Sequence, residues 1–268
     1  EVSADGLTYT FALRPEATFA DGRAITAEDV IYSFERACSP ALGSPVALSY
    51  LGDIVGVPAY ASGQARRIAG LRAVDAHTLE IIIDAPKAYF LAKLTYPVAL
   101  VVDRRQTEGG NSAWMRSPNG SGPFVLQSIS RDAIVLARNE RYYRQRPALE
   151  RVEFILRGGL PIAMYENDEL DLAGVGPHDV ERILDPENPL HGEYVVSPEL
   201  SVQYIGFNVR RPPFDDPLVR QAFAHAIDCE KIAELVLKGT AMPARGILPP
   251  GLLAEDAPAV ALPYDPTR

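Results

Sequence analysis

Two cysteines, three methionines, one tryptophan and four histidines are all that this 268-residue chain holds of its rarer, chemically distinctive side chains. Cys38 and Cys229 lie far apart and match no metal spacing. Both fall in apolar-periodic helical stretches, which predicts two buried free thiols rather than a disulfide. His77, His178, His191 and His225 each stand alone, with no carboxylate or thiol at ligand spacing. The first three read as turn or surface residues, and His225 as a packed or hydrogen-bonded helical one. Long apolar runs are missing as well. The segment 96–102 is far short of the roughly 18 residues that cross a bilayer, and Pro97 breaks it. Positive charge is the scarcer sign, with 26 Lys and Arg against 35 Asp and Glu and a net charge of −9. That balance excludes a nucleic-acid surface and favours neutral, cationic or zwitterionic partners. G-x-S-x-G, the Walker A loop, G-x-G-x-x-G after a strand and H-E-x-x-H are all absent. Neither a cofactor nor a metal is expected.

What is present is an ordinary globular composition, 47% hydrophobic and 23% charged, long enough for one large or two modest domains. Residues 7–13 alternate as a half-buried strand, and Asp21-Gly22 turns the chain. Thr26 with Asp29 three residues on forms a capping-box pattern, and Val30, Ile31, Phe34 and Cys38 fall on one helical face. Ser39-Pro40 ends that helix. After a looser stretch, strands are predicted at 68–74 and 78–83 and a short helix at 89–94. Asn119-Gly120-Ser121-Gly122-Pro123 leads into paired strands at 124–127 and 133–138. A second unit is expected to begin near Leu149, with strands at 152–156, 170–173, 194–197 and 202–209. Helices are expected there at 162–167, 177–184 and, opened by Pro217 and closed by Gly239, at 217–237. The proline-rich tail from Pro243 reads as a connector. The overall class is mixed α/β (α+β).

Acidic groups recur at Glu28-Asp29, Asp168-Glu169-Asp171 and Asp215-Asp216. Capping accounts for Asp29 and Asp216, and a solvated loop face for Asp168-Glu169. A hydrolase using paired carboxylates, which loss of turnover on changing Asp171 or Asp216 would favour, is the competing reading, and no catalytic residue is assigned. Asn119-Gly120-Ser121 matches a glycosylation acceptor in form, but its Gly and Pro neighbours make it a structural turn.

Four stretches, read in order, resemble the extracellular solute-binding proteins of peptide and nickel ABC importers. They are DGRAITAEDVIYSFERA at 21–37, NGSGPFVL through RNERYYRQRPALERVEF at 119–154, ELDLA at 169–173, and YIGFNVRRPPFDDPLVRQAFAHAIDCEKIAELVLKGTAMPA at 204–244. The last is the most specific. Ala24 stands where the family commonly has Pro, Tyr143 where it has Trp, and Asp168 where it has Gly.

The resemblance implies a partial periplasmic-binding-protein-like clamshell of type II carrying the family's extra inserted lobe. Residues 1–147 would be that lobe, 148–245 the middle of the first ligand-binding lobe, and 246–268 a connector toward a second lobe. The start at Glu1 and the end near Tyr264-Asp265-Pro266 read as those of an internal segment or a processed product, without the leader, the first strands and the facing lobe. The resemblance also implies a monomeric importer component outside the cytoplasmic membrane, in the periplasm or at the cell surface. It would capture small peptides and hand them to an ABC permease, with a lipid anchor upstream as its membrane link. Nickel complexes, oligosaccharides and opines are alternative ligands. Asn208, at a strand end, is the first candidate contact. Phe207 points to the opposite face, and Val46 stands where some peptide binders place a Tyr. Tyr50 lines the same edge. Arg210-Arg211 could meet a carboxylate.

Overall fold

Alternating residues in the first strand meet alternating residues in the fourth predicted element, and this pairing founds the first half of the molecule. The computed structural model describes residues 1–110, 112–197, 199–249, 252 and 261–267, so part of the expected connector lies outside the described residues. Contacts divide the chain into two compact units, Glu1–Arg157 and Gly158–Arg268.

In the first unit β1 (Thr8–Ala12) is followed by helices α1 (Ala27–Cys38), α2 (Ala47–Leu51) and α3 (Val57–Ala61), then β2 (Leu71–Asp75) and β3 (Thr78–Ile82). The sheet order is β1-β3-β2, all antiparallel, with Tyr9 opposite Ile81 and Phe11 opposite Leu79. Period-2 alternation sends Tyr9, Leu79 and Ile81 inward. Helix α1 meets them with Ala27, Val30, Ile31, Phe34 and Cys38, the i, i+3, i+4, i+7 stripe that the sequence shows. Leu51, Ile54, Val57, Ile83 and Phe90 complete this core, each fully buried or nearly so. Burying a side chain such as Phe34 stabilises the unit by roughly 2–3 kcal/mol. Helices α4 (Phe90–Lys93) and α5 (Arg104–Thr107) follow, and then a second antiparallel sheet. It runs β4 (Phe124–Ile129), β5 (Ala133–Arg138) and β6 (Arg151–Ile155), in the order β4-β5-β6. Residues 152–156 were expected to open the second unit. They form β6, which pairs with β5, Ile134 opposite Phe154 and Leu136 opposite Val152.

A polar network crosses the first unit. Gly22 adopts φ +91, a left-handed turn that glycine reaches without steric cost, and the turn presents Arg23. Its guanidinium grips both oxygens of Asp29, at 3.0 and 2.9 Å, and reaches Asp103 at 2.9 Å. Asp29 Oδ2 also accepts from the backbone and hydroxyl of Thr26, fixing the start of α1. Asp103 caps α5 through the amide of Arg105 and accepts from Asn119 Nδ2 at 2.7 Å. Asn119 Oδ1 in turn accepts from the amide of Asp21. Asp29 and Asp103 are both buried. Burial raises the Asp29 carboxyl, but the Arg23 and Thr26 bonds outweigh it and hold the group below the ordinary carboxylate value.

The second unit has helices α6 (Pro161–Glu166), α7 (Val180–Leu184), α8 (Pro217–Ala226) and α9 (Cys229–Lys231), with a π-helical turn at Ile232–Val236. The long helix expected over 217–237 is thus broken. Ile227 is extended, and Asp228 accepts from Lys231 N, beginning a new helix by capping it. The strands expected at 170–173, 194–197 and 202–209 do not form, because no described segment pairs with them. Their apolar residues lie open: Leu172 is 89% exposed and Val195 84%. Among the described residues, Ile162, Val180, Ile183, Ala233 and Pro249 are the buried apolar set of this unit. Cys38 is buried as expected, and burial pushes its thiol up to about 11, whereas Cys229 is exposed because it opens α9 after the break.

Asp168 follows α6 with φ +58, a left-handed conformation that costs a Cβ-bearing residue about 1 kcal/mol. Asp168→Gly should therefore stabilise the protein by about 0.5 kcal/mol, the relief of strain exceeding the flexibility gained by the unfolded chain, read as a rise in the urea midpoint. Arg23→Met should cost roughly 3 kcal/mol at pH 7, because two buried carboxylates lose their cation. Since the folded value of Asp29 is depressed, its contribution is present above the unfolded value near 4 and is lost as pH falls below it. Urea unfolding across that range should show the difference between the two proteins shrinking in acid.

Candidate functional site

The four candidate contacts fall into two separate settings, two residues in each unit. In the first, Val46 precedes α2, half-buried, and its carbonyl accepts from the amides of Ser49 and Tyr50. Tyr50 lies on α2 and stacks on Tyr96, ring centres 3.7 Å apart and planes 12° from parallel. The sequence reading missed Tyr96, which it met only as the start of a short apolar run. Its phenol and that of Tyr50 form one aromatic surface, partly open to solvent. Beside it, Asp53 binds Lys87 at 2.7 Å and Lys93 at 2.6 Å, while Lys93 also lies over the Tyr89 ring. Burial raises the Asp53 carboxyl, and the two ammonium groups more than reverse this and lower it. The edge is therefore aromatic with its charges internally neutralised.

In the second unit Phe207 and Asn208 do not alternate along a strand. Phe207 stacks on Phe214 at 4.9 Å and meets Phe223 edge-on at 5.4 Å, so its ring belongs to an aromatic trio. Arg220, on α8, donates to the carbonyls of Phe214 and Asp215 and holds that loop against the helix. Asn208 is exposed. Its Oδ1 accepts from Arg210 N at 3.1 Å and its carbonyl from Arg211 N at 3.1 Å, a turn that exposes the amide. Among the described residues nothing takes the hydrogens of its Nδ2. Asn208 is thus a turn former whose side-chain amide keeps an unused donor.

A groove of about 560 Å³ also lies in the second unit, walled by apolar residues of α6, α7 and the segments 171–175 and 194–197. Tyr165, Asp171, Glu193, Ser197, Lys238 and Thr240 are among its polar lining residues. The Tyr165 phenol donates to Glu193, and that bond, with the carboxylate charge, raises the phenol above its usual value. Sequence reading missed this groove, although the exposed alternation around it was visible. Of the carboxylates considered for hydrolysis, Asp216 accepts from Leu218 N at 2.8 Å to cap α8, and Asp171 lines the groove. Among the described residues no group of three or more His, Cys, Asp or Glu is placed to hold a metal. The arrangement offers hydrogen bonding and aromatic contact rather than proton transfer.

Comparison with known proteins agrees with this chemistry. The model of bacterial extracellular solute-binding proteins, family 5, middle part, matches residues 1–268. The chain is 30% identical to the dipeptide-binding protein DppE of Bacillus subtilis over 264 residues, 95% of this chain and 47% of that protein. It is 31% identical to the probable deoxycholate-binding periplasmic protein YgiS of Escherichia coli over 259 residues, 93% of this chain and 48% of that one. A solved periplasmic oligopeptide-binding protein of Borrelia burgdorferi, OppAIV, superposes with a TM-score of 0.83 at 30% identity, covering 93% of this chain and 51% of that structure. The mixed α/β fold is therefore that of the periplasmic-binding clamshell proteins, and the chain spans about half the length of the curated relatives it matches.

Phe207→Ala should destabilise the protein by about 3 kcal/mol through loss of the aromatic trio. Asn208→Ala should cost well under half of that in stability, so that its effect appears in ligand affinity. Denaturant unfolding paired with ligand titration of both variants distinguishes the two roles.

Proposed function

This chain belongs to the bacterial extracellular solute-binding proteins, family 5, and we propose that the whole protein captures peptides outside the cytoplasmic membrane for an ABC importer. The match of all 268 residues to the family model carries this reading. Relatives named for binding dipeptides and oligopeptides, similar along nearly the whole chain, support peptide as the ligand. Residues 1–147 serve as the inserted lobe, 148–245 as the middle of the first ligand-binding lobe, and 246–268 as the link onward. Asn208 Nδ2 donates to a peptide carbonyl. The Tyr50–Tyr96 surface takes an apolar side chain, and Val46 contributes contact without the hydrogen bond a tyrosine would add. Phe207 supports Asn208 from behind. The protein acts as a monomer, is tethered by a lipid anchor upstream of this segment, and hands its cargo to the permease without chemical change.

A steroid carboxylate is the second reading, favoured by the 31% identity to the probable deoxycholate-binding protein. Thermal unfolding of the intact protein, alone, with a mixed pool of short peptides and with deoxycholate, separates the two. A ligand at about 100 times its dissociation constant adds roughly 2.7 kcal/mol and raises the midpoint by a few degrees. A rise with peptides is expected. A rise with deoxycholate alone replaces peptide by steroid, and no rise with either turns the assignment to nickel complexes or oligosaccharides. Peptide cleavage lost in Asp171→Asn would instead make the protein a hydrolase.

A further inference from the structure

His225 is the one buried side chain of α8, 8% exposed on a helix whose remaining residues are half-buried or open. A buried imidazole is costly unless its polar atoms are bonded. Its Nδ1 lies 2.8 Å from the carbonyl oxygen of Pro263. That oxygen can only accept, so Nδ1 must carry the hydrogen. The backbone carbonyl of the same residue sits in the last turn of α8, where helices leave acceptors unmatched, and it accepts from the amide of Asp265 at 2.9 Å. One residue therefore holds the segment at two points, through its side chain to residue 263 and through its backbone to residue 265. Between them Tyr264 lies 5.9 Å from the Lys231 ammonium, a weaker third contact. Beyond them Asp265 Oδ1 accepts from the amide and hydroxyl of Thr267 and turns the chain.

We propose that His225 is a conformational latch. The strap 263–265 docks across the end of α8 while the Nδ1–H bond to Pro263 stands, and undocking it opens both the imidazole and the His225 carbonyl to water. This device is independent of which ligand the protein binds. It works through one tautomer, which makes it sensitive to the position of the donor and not merely to the presence of a polar side chain.

The test uses the intact protein. Nitrogen-15 NMR of the neutral histidine should place the proton on Nδ1, and a proton on Nε2 would overturn the proposal with no variant needed. Amide exchange at Asp265 should then accelerate about tenfold in His225→Ala and His225→Gln, the scale of one lost hydrogen bond. His225→Asn, whose Nδ2 stands where Nδ1 stood, should restore slow exchange, whereas the longer Gln amide should not. Equal exchange at Asp265 in the wild type and all three variants would also overturn it.

Discussion

A single guanidinium, that of Arg23, sits between two carboxylates that the fold withdraws from water. Asp29 and Asp103 are each buried, and a buried carboxylate without a cation costs several kcal/mol. Every segment that supplies a partner is therefore held by the others. The Asp21-Gly22 turn aims Arg23, Asp29 fixes the start of α1, Asp103 caps α5, and Asn119 ties the loop before β4 to both Asp103 and Asp21. Two stretches nearly a hundred residues apart in sequence thus share one electrostatic condition. The apolar face of α1 can pack on the β1-β3-β2 sheet in one register because its first turn is already anchored. The Phe19 ring beneath the guanidinium, 4.3 Å away, shields the arrangement further.

The two units satisfy their chains differently. The first closes a core of large, fully buried side chains around α1. The second carries strand-like alternation with its apolar residues exposed and a small buried set. Charge divides the same way. Residues 1–157 hold 17 acidic and 18 basic side chains, whereas residues 158–268 hold 18 acidic and 8 basic ones. The net −9 thus belongs entirely to the second unit, whose field attracts cationic groups over a range set by salt.

Elements whose signals were local were legible in the sequence. Helix α1 could be read from Thr26, Asp29 and its apolar stripe, and the β4–β5 hairpin from its alternation and the turn cluster that leads into it. Helix α8 was correctly begun at Pro217 but extended too far, because Asp228 caps a new helix and apolar spacing alone does not register that competition. Residues 202–209 alternate as a strand does, yet a strand needs a neighbour and none of the described segments supplies one. The same missing neighbour changed the setting of Phe207, which joins an aromatic trio, and of Asn208, which turns the chain. Tyr96 escaped notice because its stacking partner is 46 residues away, and no periodicity connects them. The D-G and N-G-S-G motifs were visible as turns, but that they meet at Asp103 became evident only in three dimensions.

Asn119 precedes Gly120, the dipeptide in which backbone nitrogen most readily attacks the side-chain amide and expels ammonia. Its side chain is engaged at both ends, Oδ1 by the Asp21 amide and Nδ2 by Asp103, and so is held back from that attack. Slow ageing of the protein is therefore governed by how often this loop opens. Conversion to aspartate would set a new negative charge against Asp103, where Nδ2 now donates, and one chemical event would loosen the junction that organises the first unit. The network that builds the fold also keeps its clock.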